Sequence, residues 1–133
     1  MAGMKKASTH DRGKSGEEKA AVFLRLKGYR VLAANYRVPQ GEIDLIVSRG
    51  GILVFIEVKS RQGKAQGTPL EAVTPHKVKR LAAAAAMYLS TQPEEQRTCR
   101  FDVVTLGPEK NLLGLPKIRH FENAFSPDGY FNV

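Results

Sequence analysis

Two runs of strand-forming residues, Ile43 to Ser48 and Ile52 to Lys59, stand on either side of Arg49-Gly50-Gly51, and nothing else in the chain constrains its fold as strongly. Gly-Gly between β-rich runs marks a two-residue hairpin, because the turns that suit twisted strands need positive φ at their central positions. With Gly50 and Gly51 as the turn, Arg49 faces Ile52, and counting outward sets Asp44 opposite Glu57 and Glu42 opposite Lys59. Opposed residues share a face, ~5 Å apart at Cβ. Leu45 to Val47 and Leu53 to Ile56 are continuous apolar runs, as expected of strands covered on both sides. Carboxylates at the ends of such strands repel one another and lose hydration unless a cation sits between them. A solvated rim is the plainer account of any one of these charges. Four converging at one place under the simplest register favour a site, and a divalent metal ion is the cation it would take.

The 133 residues suit one domain with a real core, here the span 15–133, preceded by a polar, basic arm at 1–14. Lys and Arg outnumber Asp and Glu by 21 to 13, a formal net charge of +8, which suits a partner rich in phosphates. The lone cysteine, Cys99, rules out an internal disulfide and a CxxC zinc site, and fits a reducing cytoplasmic location. No apolar run is long enough to span a membrane, and Lys5 and Lys6 are followed by no hydrophobic segment of a secretory signal.

A first helix is expected to start at Ser15, whose Ser-x-x-Glu spacing to Glu18 reads as a capping box, and to stop by Gly28. Glu17, Ala20, Ala21, Leu24 and Gly28 fall on one face, so Glu17 points towards the body of the protein. Tyr29 to Tyr36 reads as a strand, and Asn35 to Gly41 as the turn into the hairpin. Thr74 and Pro75 signal the cap and first residue of a second helix, with Val78, Leu81, Ala82, Ala85, Tyr88 and Leu89 as its buried stripe. Arg100 to Leu106 and Pro116 to Phe121 read as strands with a loop between them, and Ala124, Phe125, Tyr130 and Phe131 as a tail across the core. Asp102 reads as a partner of Arg100 or a strand-end cap, and His10, His76 and His120 show no metal spacing.

Asp44 and Glu57, with the Val58 backbone carbonyl, can offer oxygens to Mg²⁺ (or Mn²⁺), which keeps its other positions for water and phosphate. Lys59 lies where charge would develop on phosphorus, and Glu17 is an auxiliary acid. The cations Arg37, Arg61, Lys64 and Lys77 are candidate phosphate contacts, Lys77 by its place in the first turn of the second helix. Each of them also reads as an ordinary solvated cation.

Gly16-Glu17, Gly28-Tyr29, Asn35-Tyr36-Arg37, GEIDLI at Gly41 to Ile46, FIEVKSR at Phe55 to Arg61, Lys77, RFDVV at Arg100 to Val104 and Ala124-Phe125 together resemble the YraN-like family. That family is placed in the restriction-endonuclease-like superfamily, alongside archaeal Holliday-junction resolvases. The resemblance maps the PD-(D/E)XK motif onto Asp44, Glu57 and Lys59, with Ile43 where the motif has proline. It implies an α/β fold, a three-layer α/β/α sandwich with a mixed central sheet, and a metal-dependent endonuclease of DNA, with branched or damaged DNA among its candidate substrates. A non-catalytic DNA-binding module is the alternative, and a protein-binding adaptor a third. Carboxylates that repel phosphate are of no use to a pure binder, which favours the enzyme. One site makes one cut, so cutting two strands symmetrically would call for a homodimer.

Overall fold

The computed structural model describes residues 9–60, 73–92 and 98–126, the side chains of 9–14 excepted. Arg61, Lys64, Tyr130 and Phe131 lie outside the described residues. The elements in order are α1 (Thr9–Leu26), β1 (Arg30–Val38), β2 (Gly41–Arg49), β3 (Ile52–Ser60), α2 (Pro75–Ser90), β4 (Thr98–Lys110) and β5 (Pro116–Phe121). The five strands form one sheet in chain order, antiparallel except where β3 and β4 run parallel. A parallel pair needs a crossover, and α2 supplies it.

Each helix has its own share of the core. Ile43, Ile46, Leu53, Phe55, Phe101 and Val103 pack with Val78, Leu81, Ala84, Ala85 and Tyr88 of α2 and with Phe125. Leu45, Val47, Val54, Ile56 and Val104 pack with Ala20, Ala21 and Leu24 of α1. Alternate residues of β3 therefore belong to different clusters, which is why its sequence is continuously apolar. Phe55 is the hub on the α2 side, its ring 5.4 Å from Phe101 and 6.2 Å from Tyr88.

The hairpin register matches the expectation from Arg49↔Ile52 through Leu45↔Ile56, with φ of 57° at Gly50 and 80° at Gly51. Thr74 caps α2 as expected, its hydroxyl accepting from the Lys77 amide at 3.2 Å with Pro75 following. Several boundaries differ from expectation. Helix α1 starts at Thr9, six residues before Ser15, so part of the expected arm is helical and Ser15 lies mid-helix. The Ser-x-x-Glu pattern is a local option for starting a helix, and here the backbone bonds of the preceding turn take its place. Strand β1 continues through Val38, leaving Pro39 and Gln40 as the turn, and β4 continues to Lys110 where a loop was expected. On α2, Ala84 is buried while Leu89 is 40% exposed, so the apolar stripe is rotated slightly from the expected one.

Candidate active site at Asp44

The hairpin stops being regular at Asp44. Among the described residues the β2–β3 ladder goes no further than Leu45↔Ile56. In a two-residue hairpin the hydrogen-bonded pairs recur every second residue, so the Val58 amide would next meet the Ile43 carbonyl. It donates instead to Asp44 Oδ2, at 2.7 Å. The other side of β2 is disturbed at the same level. Asn35 stands opposite Asp44 in the β1 register, between Ala34↔Leu45 and Tyr36↔Ile43, and adopts a φ of 52°. Left-handed backbone inside a strand is tolerated by asparagine better than by most residues. The pleat changes phase as well, since Ile43 and Ile46 both face the α2 cluster while Leu45 faces the α1 cluster. Such local irregularities re-aim a side chain, and here the side chain is a carboxylate.

Two glycines bring the helices up to this point. A Cβ on Gly41 would lie 1.8 Å from the Arg80 carbonyl oxygen, so only glycine lets the start of β2 touch the backbone of α2. Arg80 is one turn beyond Lys77, and the contact holds the N-terminal turn of α2 over the strand ends. A Cβ on Gly16 would meet Ser60 Oγ at 3.0 Å, which seats α1 against the end of β3 with Glu17 next in sequence.

Glu17, Asp44 and Glu57 then act on one another. The Glu17 carboxyl is pushed up to about 7, first by burial and then by the Asp44 charge, against a pull from Asn35 and Arg37. Its Oε2 is buried and has no hydrogen-bond partner. Glu57 is pushed up to about 7 by the same two causes, against the attraction of Lys59 and Lys77. Lys59 Nζ lies 3.6 Å from Glu57 Oε1, both side chains largely buried. The Lys59 ammonium is destabilised by burial and then by Lys77, so its pKa is lowered. The structure thus brings Glu17, Asp44, Glu57, Lys59 and Lys77 together at the opened end of the hairpin.

Two expected members stand apart. Glu42 does not reach Lys59: it is paired loosely with Arg37 at 3.8 Å, both side chains more than half exposed. The register that would oppose Glu42 and Lys59 ends before reaching them, and the β1–β2 pairing Arg37↔Glu42 takes over. Arg37 is consequently on the rim, acting on Glu17 only through its charge. Asn35 is the site residue that sequence reading missed. The available signal was an asparagine in the middle of a strand, read there as the onset of a turn.

Two carboxylates raised to about 7 by burial and by the Asp44 charge, and a buried Glu17 oxygen with no donor among the described residues, suit a divalent cation. Among the described residues no group of three or more His, Cys, Asp and Glu side chains is placed to hold a metal ion together. The donors of Asp44 and Glu57 fit an open site of the Mg²⁺ type, in which one or two carboxylates suffice.

The chain matches the family model described as Uncharacterised protein family UPF0102 over residues 16–106. This protein belongs to that family. It is 50% identical over 113 residues to a UPF0102 protein of Symbiobacterium thermophilum, covering 85% of this chain and 94% of the relative. A UPF0102 protein of Chlorobium phaeobacteroides is 45% identical over 119 residues, 87% of this chain and 94% of its own. One from Moorella thermoacetica is 47% identical over 110 residues, 81% and 92% of the two chains. The matched residues 16–106 of this UPF0102 chain run from Gly16 to the last buried residue of β4, so they contain every group of the candidate site.

Proposed function

We propose that this UPF0102 protein is a metal-dependent endonuclease that hydrolyses DNA phosphodiester bonds, with the three-layer restriction-endonuclease-like architecture its motif resembles. The observation that carries the reading is the group Glu17, Asp44 and Glu57, short of positive charge, set beside Lys59 and Lys77. Asp44, Glu57 and the Val58 carbonyl are the groups that would hold Mg²⁺ or Mn²⁺. A bound divalent ion supplies an acidified water and a clamp on phosphoryl oxygen. The Val58 amide fixes the Asp44 carboxylate against the strand end, beside Glu17 and Glu57. Lys59, poised by Glu57, and Lys77, in the first turn of α2, supply donors for the charge that grows on phosphate oxygens. Glu17, with a pKa near 7, can hold or release a proton in the neutral range. The formal net charge of +8 supports a polyanionic substrate.

The test uses labelled linear, single-stranded, flapped and four-way-junction DNA, with Mg²⁺, with Mn²⁺ and with chelator. Cleavage should need metal, should disappear in Asp44→Ala and Glu57→Ala, and should fall roughly 10²–10³-fold in Lys59→Ala. Binding to DNA without metal should be equal or tighter in the two acid variants, since negative charge has been removed. Binding without cleavage would move the chain to a non-catalytic module, and neither would discard the nucleic-acid reading.

A further inference from the structure

From the strand register we infer that the nucleic-acid backbone crosses the sheet at right angles to its strands, leaving the candidate site over Arg119 and Lys117 of β5. This rests on the nuclease reading and adds to it the direction of the substrate and two residues that the sequence did not single out.

Lys59 of β3 pairs with Thr105 of β4, and Thr105 pairs with Arg119 of β5. Partners in register share a face, so these three form a row, with Lys59 and Arg119 ~10 Å apart by the ~4.8 Å spacing of neighbouring strands. That face is the one carrying Glu57, two residues from Lys59. It is also the α2 side: Phe121 packs with the α2 cluster, whereas Ile118 packs with the α1 cluster. Arg119, next to Ile118, therefore looks out on the same side as the site, and by the same alternation Lys117 takes that face while also bordering the groove between α1 and β5; both are exposed. The α2 helix makes its main strand contacts with β2 and β1.

Cations thus flank the site on both sides. Lys77 comes from α2 on one, and Arg119 with Lys117 lies across β4 on the other. Exposed cations on an edge strand commonly serve to discourage strand addition. That role needs no particular face, however, and here both project on the side of the site. Among the described residues neither takes part in an ion pair, whereas Arg37, Lys59 and Arg100 all do. A row of exposed cations leading from a carboxylate–lysine centre suits a phosphodiester chain, which carries a negative charge at every nucleotide.

The experiment measures DNA binding in chelator as a function of salt for the intact protein and three variants. Lys117→Gln with Arg119→Gln removes the β5 cations. Lys77→Gln removes the cation on the helix side, and Lys19→Gln with Arg25→Gln removes two exposed cations from α1, on the opposite face. Loss of two phosphate contacts should lower the slope of log K against log salt by about 1.4 for single-stranded or about 1.8 for duplex DNA. The β5 variant should show that drop, Lys77→Gln about half of it, and the α1 variant little. A β5 variant with the slope of the intact protein, while Lys77→Gln loses slope, overturns the path and leaves the nuclease reading standing. Equal drops in the β5 and α1 variants overturn it too, since diffuse charge would then explain the binding. No salt-dependent binding by the intact protein removes the nuclease reading and the path together. All the substituted groups are exposed, and matching urea midpoints will show that the variants fold.

Discussion

Asp44 and Asp102 are carboxylates on strands two apart in the same sheet, and their surroundings differ in one respect that separates structure from function. Asp102, fully buried, is satisfied from within. Its oxygens accept from Arg100 Nε and Nη2 at 2.9 Å, from His120 Nε2 at 2.7 Å and from the Asn123 amide at 2.9 Å. Lys27 Nζ lies 2.7 Å from His120 Nδ1. An ammonium can only donate, so Nδ1 accepts and Nε2 carries the proton given to Asp102. Burial pushes the Asp102 carboxyl up, but the bonds from His120, Arg100 and Asn123 outweigh it and hold the pKa below the ordinary range. Asp44 has the Val58 amide and two neighbouring acids, both driven up to about 7. One centre is complete; the other gathers three acids, two of them raised to about 7 by burial and by the charge of the third. The first holds the turns after α1 and β5 to the sheet, and the second is the one to which the proposed function assigns a cation.

The largest effect expected is on the complete centre. Asp102→Ala leaves Arg100 and His120 buried without their acceptor and should cost about 3–5 kcal/mol in urea unfolding at neutral pH. Because the folded pKa of Asp102 is depressed, its contribution is present above the unfolded value of ~3.9 and is lost as pH falls through the folded value. The difference between parent and variant should therefore shrink in acid. A cost below about 1 kcal/mol at pH 7 would show that the network is ornamental.

The open centre should behave with the opposite sign. The folded pKa of Glu57 is raised from 4.5 to about 7, so the folded state binds the proton more tightly. Ionising Glu57 thus removes stability, beginning above the unfolded pKa and complete above about 7. Without metal, Glu57→Gln should match the parent at pH 5 and exceed it at pH 8 by roughly 1–2 kcal/mol, about half of what so large a shift would give. Destabilisation at pH 8 would place Glu57 with Asp102 as a satisfied structural acid.

Metal should then reverse that order. At a divalent cation concentration ten times its Kd, the parent should gain about 1.4 kcal/mol by linkage, and Glu57→Gln should gain almost nothing. The gain should grow as pH rises through 7, because the ion displaces the protons held by Glu17 and Glu57. Equal stabilisation of the parent and Glu57→Gln would mean the cation binds elsewhere.

The two centres were not equally legible in the sequence. Gly50-Gly51 fixed the hairpin register by turn chemistry alone as far as Leu45↔Ile56, and Asp44, Glu57 and Lys59 still meet just past the point where that ladder ends. The inward phase of Glu17 followed from Ala20, Ala21 and Leu24, all of which are buried. Arg100 as the partner of Asp102 was legible from a spacing of two along a strand. His120 was not, since it reaches Asp102 through the β4–β5 pairing, and no local pattern encodes a contact across strands. The break at Asp44 was hidden for a related reason. A carboxylate replacing a backbone acceptor leaves the residue pattern unchanged, and only the coincidence with Asn35 on the neighbouring strand reveals it.

The smallest effect expected separates two arginines. Arg100 is locked to Asp102 and also reaches the Tyr29 hydroxyl at 2.7 Å and Glu122 at 3.2 Å, whereas among the described residues Arg37 pairs with Glu42 alone, at 3.8 Å and in solvent. An exposed pair at that distance contributes little, so Arg37→Gln should change stability by less than about 0.5 kcal/mol. Its charge is felt elsewhere: it pulls the Glu17 pKa down, and without it Glu17 should titrate higher. If Arg37 also meets a phosphate at the rim, Arg37→Gln should lower the salt slope of DNA binding by about 0.7–0.9 while leaving the urea midpoint in place. A cost above about 1.5 kcal/mol would instead make Arg37 part of the framework, as Arg100 is, and the contrast between a closed and an open centre would then stop at the carboxylates rather than extend to the cations around them.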